Sequence, residues 1–271
     1  MNKVKLLRTA QSEVPFLKPL KTAWRYHHAR LARKPSDPDF GSLRFIPDSS
    51  SGCYVDVGAN QGQSIESIRL FQPHARIHAF EADPHLAARL QQRHRGSETV
   101  TVHPYGLGAT PTDATLFTPV YKGFAYDGLA SLDRNNAASW LGPETLYRFA
   151  PRRLVLRETA CRTERLDDQR LNPVFIKIDV QGYELAVVRG GLETIRRFDP
   201  ILMIEDLSHR PKLFALLESL GYQQYLFDDT GFYRADAGSA VNFLLMTDRR
   251  AATVVLSTAR PQRHSLVAQP Q

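Results

Sequence analysis

The chain has 271 residues, of which 42% are hydrophobic and 23% are charged, and its formal net charge is +7. This composition excludes a disordered chain, and without an apolar run of about eighteen residues a membrane-spanning helix is not expected. The charge is concentrated at the ends, since residues 1–34 hold nine Lys or Arg and a single acid, Glu13. The mildly acidic middle argues against an enzyme of nucleic acids, and the start lacks the apolar core of a signal peptide, which favours the cytoplasm.

Residues 1–50 are predicted to be a basic extension that ends in a linker. Within them, LKTAWRYHHARLARK at 20–34 spaces Trp24 and its neighbouring leucines like the apolar face of a helix. This basic helix either docks on an anionic membrane surface or packs over the edge of the core. The linker is KPSDPDFGS, which is rich in turn-forming residues. A second basic segment, 249–271, has four Arg and no acid and is predicted to be a tail.

Residues 51–248 alternate short apolar runs with helical segments, which predicts an α/β domain with a mostly parallel sheet. In chain order, its first elements are the strand CYVDV, the helix GQSIESIRLFQ, the strand RIHAF, the helix PHLAARLQQRH and the strand TVTVHP. Residues 105–170 are less regular, with strands near ATLFTPV and LVLRETA, and predict an insertion on the acceptor side. The aromatic residues of this insertion either stack on a sugar ring or pack together; they are Tyr121, Phe124, Tyr126 and Trp140.

The alternation then resumes and completes the sheet. The remaining elements are the strand VFIKIDV, the helix YELAVVRGGLETIRRF, the strand ILMIED, the helix KLFALLESL and the strands YQQYLF and VNFLLMT. The last two strands are predicted to pair as an antiparallel hairpin around DDTGFYRADAG, because no long helix separates them. The predicted fold is Rossmann-like, with a mostly parallel seven-stranded sheet and an antiparallel C-terminal pair. Cys53 and Cys161 are expected to be buried free thiols.

Acidic and glycine residues follow the first two strands, where a cofactor would lie. Glycine in the loop after CYVDV lets the backbone turn sharply and approach a ligand closely. Asp56 suits a positively charged sulfonium better than a pyrophosphate, and the dinucleotide fingerprint G-x-G-x-x-G is absent. Glu81 ends the second strand, where a carboxylate accepts both ribose hydroxyls. We therefore predict an S-adenosylmethionine site that comprises Asp56, Gly58, Ala59, Asn60, Gly62, Glu81 and Ala82.

Five sequence blocks stand in order along the chain; they are VDVGANQGQS, FEADP, TERLDD, FIKIDVQGYELAVVRGG and ILMIEDL. Together, over roughly residues 52–247, they resemble the FkbM-type methyltransferases. The resemblance implies a class I methyltransferase fold, S-adenosylmethionine as the methyl donor, and O-methylation of sugars or polyketide-like hydroxyls. Many members have Glu where this chain has Gln181, so no carboxylate role carries over to that position.

Acidic residues also end the fourth and fifth strands, and these should face the reacting methyl group. An aliphatic hydroxyl is a poor acid, so its methylation needs a general base or a metal ion. Asp179, Glu205 and Asp206 have the oxygen ligands that suit Mg²⁺. Alternatively, Asp179 or Glu205 is the general base without a metal, with His103 or His209 as a candidate helper.

The leading interpretation is an O-methyltransferase whose acceptor is a small molecule, a glycan, a glycolipid or a related secondary metabolite. The basic N-terminus would suit a lipid-linked acceptor at the inner membrane face. One alternative is methylation of a nitrogen in nucleic acid or protein, although Asp179-Val180-Gln181-Gly182 lacks the paired prolines typical of base N-methyltransferases. Another is a catalytically silent methyltransferase fold that binds a partner. No nucleic-acid partner is expected, and the sequence leaves the oligomeric state open.

Overall fold

The structure is a computed structural model, and it describes residues 3–13, 34–47, 52–205, 211–235 and 242–257. Nearly all of the predicted basic helix at 20–34 lies outside the described residues, as do Asp206, His209 and the end of the C-terminal tail. None of the described helices is both long enough and apolar enough to span a bilayer.

The described residues form twelve strands and eight α-helices. The strands are β1 (Cys53–Val57), β2 (Ile77–Phe80), β3 (Val100–His103), β4 (Gly106–Leu107), β5 (Thr112–Tyr121), β6 (Phe124–Ala125), β7 (Leu154–Glu164), β8 (Pro173–Ile178), β9 (Ile201–Glu205), β10 (Gln223–Phe227), β11 (Phe232–Arg234) and β12 (Asn242–Met246). The α-helices are α1 (Lys3–Glu13), α2 (Gln63–Phe71), α3 (Pro84–Arg93), α4 (Arg134–Ser139), α5 (Glu184–Gly190), α6 (Leu192–Phe198), α7 (Pro211–Ser219) and α8 (Asp248–Ala251).

Eight strands form the main sheet, in the order β11-β10-β12-β9-β8-β1-β2-β3. The strands from β9 to β3 are parallel, and β12 runs antiparallel between β9 and β10. β1 pairs with both β2 and β8, so the strand order reverses at β1. The predicted α/β sheet is therefore confirmed in its parallel part, and its ligand crevice is expected at the carboxyl end of β1.

The predicted number of seven strands is wrong, because the segment between β10 and β12 supplies an eighth. A tight turn forms after β10, in which Asp228 Oδ1 accepts hydrogen bonds from the backbone N–H groups of Thr230 and Gly231. This turn brings Phe232 opposite Phe227, and β11 pairs antiparallel with β10. β10 and β12 do pair antiparallel, as predicted, but β11 lies on the outer side of β10.

A second sheet, in the order β4-β7-β5-β6, is built from the predicted insertion. Its two long strands, β5 and β7, pair antiparallel from Thr112 opposite Thr163 to Tyr121 opposite Leu154. The strands predicted near ATLFTPV and LVLRETA are thus confirmed. A small apolar cluster covers this sheet, and its buried members are Tyr121, Phe124, Tyr126, Leu141 and Leu146. The three aromatic side chains of this cluster pack together, which agrees with the predicted alternative of packing within the insertion.

Two apolar cores cover the two faces of the main sheet. Along β1, Tyr54 belongs to one core and Val55 and Val57 to the other, because alternate residues of a strand share a face. Burial of such side chains is the main favourable term in folding. Cys53 is buried and Cys161 half-buried, and both are free thiols, as predicted.

The single helix predicted over YELAVVRGGLETIRRF is divided into α5 and α6. The division falls at Gly191, whose backbone (φ −118°, ψ 13°) is not helical. Its neighbour Gly190 packs against the main chain of Gly108, so closely that a Cβ atom would collide with the Gly108 carbonyl oxygen. Two consecutive glycines therefore allow close packing here and weaken the helix at the same point.

The predicted linker KPSDPDFGS belongs to the core instead. Residues Pro38–Phe45 form a 3₁₀ helix, and its side chains Phe40 and Leu43 are buried in the apolar core. Gln72 Nε2 donates hydrogen bonds to the carbonyl oxygens of Leu43 and Ile46, at 2.8 and 3.0 Å. The apolar side chains thus outweigh the turn-forming residues around them.

The predicted basic tail also begins inside the folded domain. Arg249 Nε donates a hydrogen bond to the carboxylate of Asp199 at 2.9 Å, and Arg250 Nε donates to the Asp199 carbonyl oxygen at 2.5 Å. Asp199 follows α6 with a left-handed backbone, φ 50°. The first two arginines of the tail are therefore engaged with the end of a helix.

Candidate active site

A pocket lies at the carboxyl ends of β1, β2 and β8. Its opposite wall comes from residues 127–132, between β6 and α4, which are called the wall segment below. The described residues that line the pocket are Val57, Gly58, Asn60, Phe80, Glu81, Ala82, Asp83, Leu86, Gly106, Leu107, Leu116, Asp127, Gly128, Ala130, Leu132, Asp179, Val180, Gln181 and Tyr183. Open α/β sheets bind their ligands in this crevice.

The loop after β1 lies directly against the loop after β8. Gly58 has φ 82°, and a Cβ atom on it would collide with the carbonyl oxygen of Asp179. This position therefore requires glycine. Asn60 also has a left-handed backbone, φ 51°, and its Oδ1 atom is buried without a hydrogen-bond partner. A buried acceptor of this kind suits a donor group on a ligand.

Glu81 follows β2 and lines the pocket. Its Oε2 accepts a hydrogen bond from the Asn60 backbone N–H at 2.6 Å, and its Oε1 accepts one from the Asp83 N–H at 2.7 Å. Burial raises the pKa of Glu81 to about 7, although these two hydrogen bonds act in the opposite direction. Each carboxylate oxygen retains a second lone pair, so Glu81 can still accept hydrogen bonds from a diol.

Asp56 is not where a cofactor ligand would be. It is 0% exposed and is not among the described residues that line the pocket. Its Oδ2 accepts a hydrogen bond from Ser64 Oγ, and Lys177 Nζ lies 3.4 Å from its Oδ1. Asp56 and Lys177 are opposite each other in the pairing of β1 with β8, so their side chains meet on one face of the sheet. The predicted direct contact with the cofactor is therefore replaced by a contact with Lys177.

The other predicted cofactor residues fall into two groups. Those that line the pocket are Gly58, Asn60, Glu81 and Ala82. Ala59 is buried in the core. Gly62 precedes α2 and packs against the side chain of Leu90. These last two residues shape the loop without facing the pocket.

A chain of polar side chains joins the ends of β8 and β9 on the other side of the pocket. Lys177 Nζ lies 3.3 Å from Asp179 Oδ2. Gln181 Nε2 donates hydrogen bonds to Asp179 Oδ1 at 2.8 Å and to Glu205 Oε2 at 3.0 Å. A further hydrogen bond joins the two carboxyl groups. Asp179 and Gln181 line the pocket, whereas Glu205 lies behind them and is not among the lining residues.

The two carboxyl groups differ in their affinity for a proton. Burial and the neighbouring Asp179 carboxylate raise the pKa of Glu205 to about 8. Burial acts in the same sense on Asp179, but the Lys177 ammonium and the hydrogen bonds from Glu205 and Gln181 outweigh it and hold the pKa of Asp179 below its ordinary value. Of the two carboxyl groups, Asp179 is therefore the one that releases its proton more readily.

Asp179 and Glu205 do not fit the predicted Mg²⁺ site. Magnesium requires a nearly octahedral set of oxygen atoms, whereas an amide N–H of Gln181 and the ammonium of Lys177 already approach these carboxylates. Within the described ranges, no group of three or more His, Cys, Asp or Glu could hold a metal ion. Asp206, the third predicted ligand, lies outside those ranges.

His103 ends β3, but it is not a candidate base in this structure. Its ring stacks on Phe80 at 4.3 Å between centroids. Its Nε2 lies 3.1 Å from His78 Nδ1, and its Nδ1 lies 3.1 Å from the Tyr105 hydroxyl. Burial lowers the pKa of His103 to about 4, and the residue does not line the pocket. The structure thus places His103 outside the pocket lining, with both ring nitrogens close to neighbouring side chains.

The wall segment is the part of the site that sequence reasoning missed. Arg157 Nη2, on β7, lies 3.4 Å from Asp83 Oδ2 and 3.7 Å from Asp127 Oδ1. Gln61 Nε2 donates a hydrogen bond to Asp127 Oδ2 at 3.4 Å. Ser131 Oγ donates one to the Gln181 carbonyl oxygen at 2.7 Å. The wall segment is thus tied to the loops after β1, β2 and β8. Among the residues in these contacts, only Asp83 had a sequence signal, as the residue before Pro84 that caps α3.

A family model described as "Methyltransferase FkbM domain" matches residues 56–227, which is more than half of the chain. The chain belongs to the FkbM methyltransferase family. All of the pocket-lining residues, from Val57 to Tyr183, fall within the matched range. The pocket is therefore part of the FkbM methyltransferase domain, whereas α1 lies outside it.

The solved structures that are similar to this chain include two methyltransferases. A crystal structure of an FkbM methyltransferase from Methylobacillus flagellatus KT is 18% identical, with a TM-score of 0.44, and the match covers 72% of this chain and 43% of that chain. A precorrin-6y C5,15-methyltransferase from Geobacter metallireducens GS-15 is 15% identical, with a TM-score of 0.35, and the match covers 80% of this chain and 85% of that chain. Structural likeness at these TM-scores is not evidence of a shared function. This chain thus spans less than half of the Methylobacillus protein, and no curated protein matches it.

Proposed function

We propose that this FkbM methyltransferase uses S-adenosylmethionine to methylate a hydroxyl group of a sugar, a glycan, a glycolipid or a related metabolite. The observation that carries the proposal is the placement of two different carboxylates on opposite sides of one pocket. Glu81 is on the side of β1 and β2, where a nucleoside would lie, and Asp179 is on the side of β8. One carboxylate is suited to binding and the other to taking up a proton.

The residues on the Glu81 side fit the cofactor. Glu81 would accept hydrogen bonds from the two ribose hydroxyls, and the orphaned Oδ1 of Asn60 would accept one from the ammonium or amino group of the cofactor. Leu86 and Leu116 supply apolar surface for the adenine ring. When bound, the cofactor supplies a methyl group made electrophilic by a sulfonium. The missing Cβ of Gly58 lets the loop after β1 lie against the carbonyl oxygen of Asp179 at this end of the pocket.

The residues on the Asp179 side supply a base. Asp179 is ionised at neutral pH, because the pKa of Asp179 is held low by Lys177 and its hydrogen bonds. The acceptor hydroxyl donates a hydrogen bond to Asp179 and is turned in line with the methyl group. As the new oxygen–carbon bond forms and the carbon–sulfur bond breaks, the hydroxyl proton passes to Asp179, and the sulfur leaves as a neutral thioether. Gln181 and Lys177 keep Asp179 in position during the transfer.

Calorimetric titration with S-adenosylhomocysteine, the demethylated product, tests the cofactor side. We expect Glu81→Gln to weaken binding about 10- to 100-fold, because the new amide group faces two backbone N–H donors and loses the charge-assisted bonds to ribose. Glu158→Gln is the matched control, since Glu158 is an exposed glutamate on β7 that pairs with Arg134. Equal binding by the wild-type chain and Glu81→Gln would contradict the assignment.

Transfer assays with labelled S-adenosylmethionine and panels of hydroxylated acceptors, with and without Mg²⁺, test the acceptor side. Methyl transfer to a sugar or glycan hydroxyl without Mg²⁺ is the expected result. Cofactor binding with transfer only to a nitrogen would favour an N-methyltransferase. Cofactor binding without any transfer would favour a catalytically silent fold.

A further inference from the structure

α1 lies on the domain with its polar side. Tyr126 Oη donates a hydrogen bond to the Arg8 carbonyl oxygen at 2.9 Å, and the Tyr147 backbone N–H donates one to Thr9 Oγ1 at 2.9 Å. Ser12, one turn beyond Arg8, is only 1% exposed. The helix is thus anchored by hydroxyl and carbonyl groups.

Three apolar residues of α1 point the other way. Leu6 is 44% exposed and Leu7 is 56% exposed. Ala10, one turn further along, is exposed as well. A helix that packs only to complete a fold buries its apolar stripe and exposes its polar residues. Here the arrangement is reversed, and these three residues, called the outer face of α1, are turned away from the domain.

The setting of the outer face is positively charged. α1 contains Lys3, Lys5 and Arg8, and its single acid, Glu13, forms an ion pair with Lys122 of the domain. In the sequence, residues 1–34 carry nine Lys or Arg against that one acid. Exposed leucines in a basic segment complement an anionic lipid surface, because the leucines enter the headgroup boundary while the cations attract the lipid phosphates.

We propose that the outer face of α1 docks this protein on an anionic membrane surface. The anchor of α1 is Tyr126, and the next residue, Asp127, begins the wall segment of the pocket. Docking would therefore hold one wall of the pocket near the lipid, where a lipid-linked acceptor would be presented. The docking itself is independent of the proposed function, and only the lipid-linked acceptor rests on it.

Sedimentation of the full chain with vesicles tests this proposal. The vesicles are phosphatidylcholine with about one-third phosphatidylglycerol, and pure phosphatidylcholine is the neutral comparison. We expect binding to the anionic vesicles that weakens as salt rises from about 0.05 to 0.5 M. The double variant Leu6→Ser/Leu7→Ser should bind about tenfold or more weakly, because two apolar side chains no longer enter the headgroup boundary.

The matched control is Val255→Ser/Leu256→Ser, which removes two equally exposed apolar side chains (51% and 47%) far from α1 in the sequence and leaves the net charge unchanged. It should bind vesicles as the wild-type chain does. Titration with S-adenosylhomocysteine and circular dichroism establish that both variants are folded and separate a failure of docking from a failure of the cofactor site. Wild-type binding that is absent, or equal in both double variants, overturns the proposal. Dimers of the wild-type chain that Leu6→Ser/Leu7→Ser dissociates would also overturn it and assign the outer face to a second copy.

Discussion

The two sides of the pocket hold their carboxylates by different means. Glu81, beside β1, is held by two backbone N–H groups of the surrounding loops. Asp179 and Glu205, beside β8 and β9, are held by the side chains of Lys177 and Gln181. Backbone donors are fixed by the fold, whereas side-chain donors can be removed one at a time. The position of the Glu81 carboxylate is therefore set by the fold. The proton affinity of Asp179 can be changed by a single substitution of a neighbouring side chain.

The largest effect is expected from Asp179→Asn, which removes the base and keeps the shape. General-base catalysis contributes about 10²- to 10⁴-fold, so kcat should fall by this factor. Binding of S-adenosylhomocysteine should change less than about threefold, because Glu81 is untouched. Single-turnover methyl transfer and calorimetry measure the two quantities. Asp113→Asn, at an exposed position on β5, is the control. If Asp179→Asn lost both methyl transfer and S-adenosylhomocysteine binding, the two sides of the pocket would not act independently.

A second test compares the two sides by their titration. The pKa values of Glu81 and Glu205 in the folded chain, about 7 and about 8, lie above the ordinary value of 4.5. The folded state therefore binds more protons than the unfolded state, and the free energy of unfolding should fall as pH rises through this range. We expect a loss of several kcal/mol between pH 5 and pH 9 in chemical denaturation, because one pKa unit corresponds to about 1.4 kcal/mol.

The variants Glu81→Gln and Glu205→Gln assign this loss to one side or the other. Glu81→Gln should remove the part of the loss near pH 7, and Glu205→Gln the part near pH 8. The lowered pKa of Asp179 stabilises the fold equally throughout this range, and that contribution is lost only at more acid pH. A wild-type stability that stays constant from pH 5 to pH 9 would contradict the description of both carboxyl groups.

Gln181→Leu is expected to act only on the Asp179 side. Without the amide donor, both carboxylates lose a hydrogen bond that favours their ionised form, so the pKa of the pair should rise. The acid limb of the pH profile of kcat should move to higher pH by about one pH unit, so that activity falls about tenfold on this limb and hardly changes at neutral pH. Gln91→Leu, on the exposed side of α3, is the control. A uniform loss of activity without a shifted limb would indicate a merely structural role for Gln181.

Most of the Glu81 side could be predicted from the sequence, because each feature there is local. A strand followed by a glycine loop predicts the turn at Gly58, and the structure gives that residue a left-handed backbone. The end of an apolar run places Glu81 next to the pocket. The placement of Asp56 beside Lys177, and not among the pocket-lining residues, depends on strand register. Register sets Asp56 opposite Lys177, and no local pattern specifies it.

The Asp179 side could be predicted only in part. Asp179 and Glu205 follow from the ends of two apolar strands, but their connection through Gln181 requires φ 49° at a residue other than glycine. Such a backbone has no signal in the residue itself. The wall segment could not be predicted at all, because its position depends on pairing between distant strands, with Phe117 bonded to Ser131 and β5 to β7.

The smallest effect is expected where the two sides of the pocket meet the wall segment. Arg157 joins Asp83 to Asp127 by long ion pairs, and its side chain is 44% exposed. Exposed pairs contribute less than about 1 kcal/mol, so Arg157→Gln should hardly change the free energy of unfolding. The substitution should nevertheless let the wall segment move away from the pocket more often, and S-adenosylhomocysteine should dissociate about two- to fivefold faster in stopped-flow measurements.

High salt tests whether this effect is electrostatic. It should accelerate dissociation to the same extent in the wild-type chain and in the control Arg152→Gln, which changes an exposed arginine before β7. It should accelerate dissociation little in Arg157→Gln. Identical salt dependence in all three proteins would show that the wall segment is held by the Ser131 and Gln61 hydrogen bonds instead.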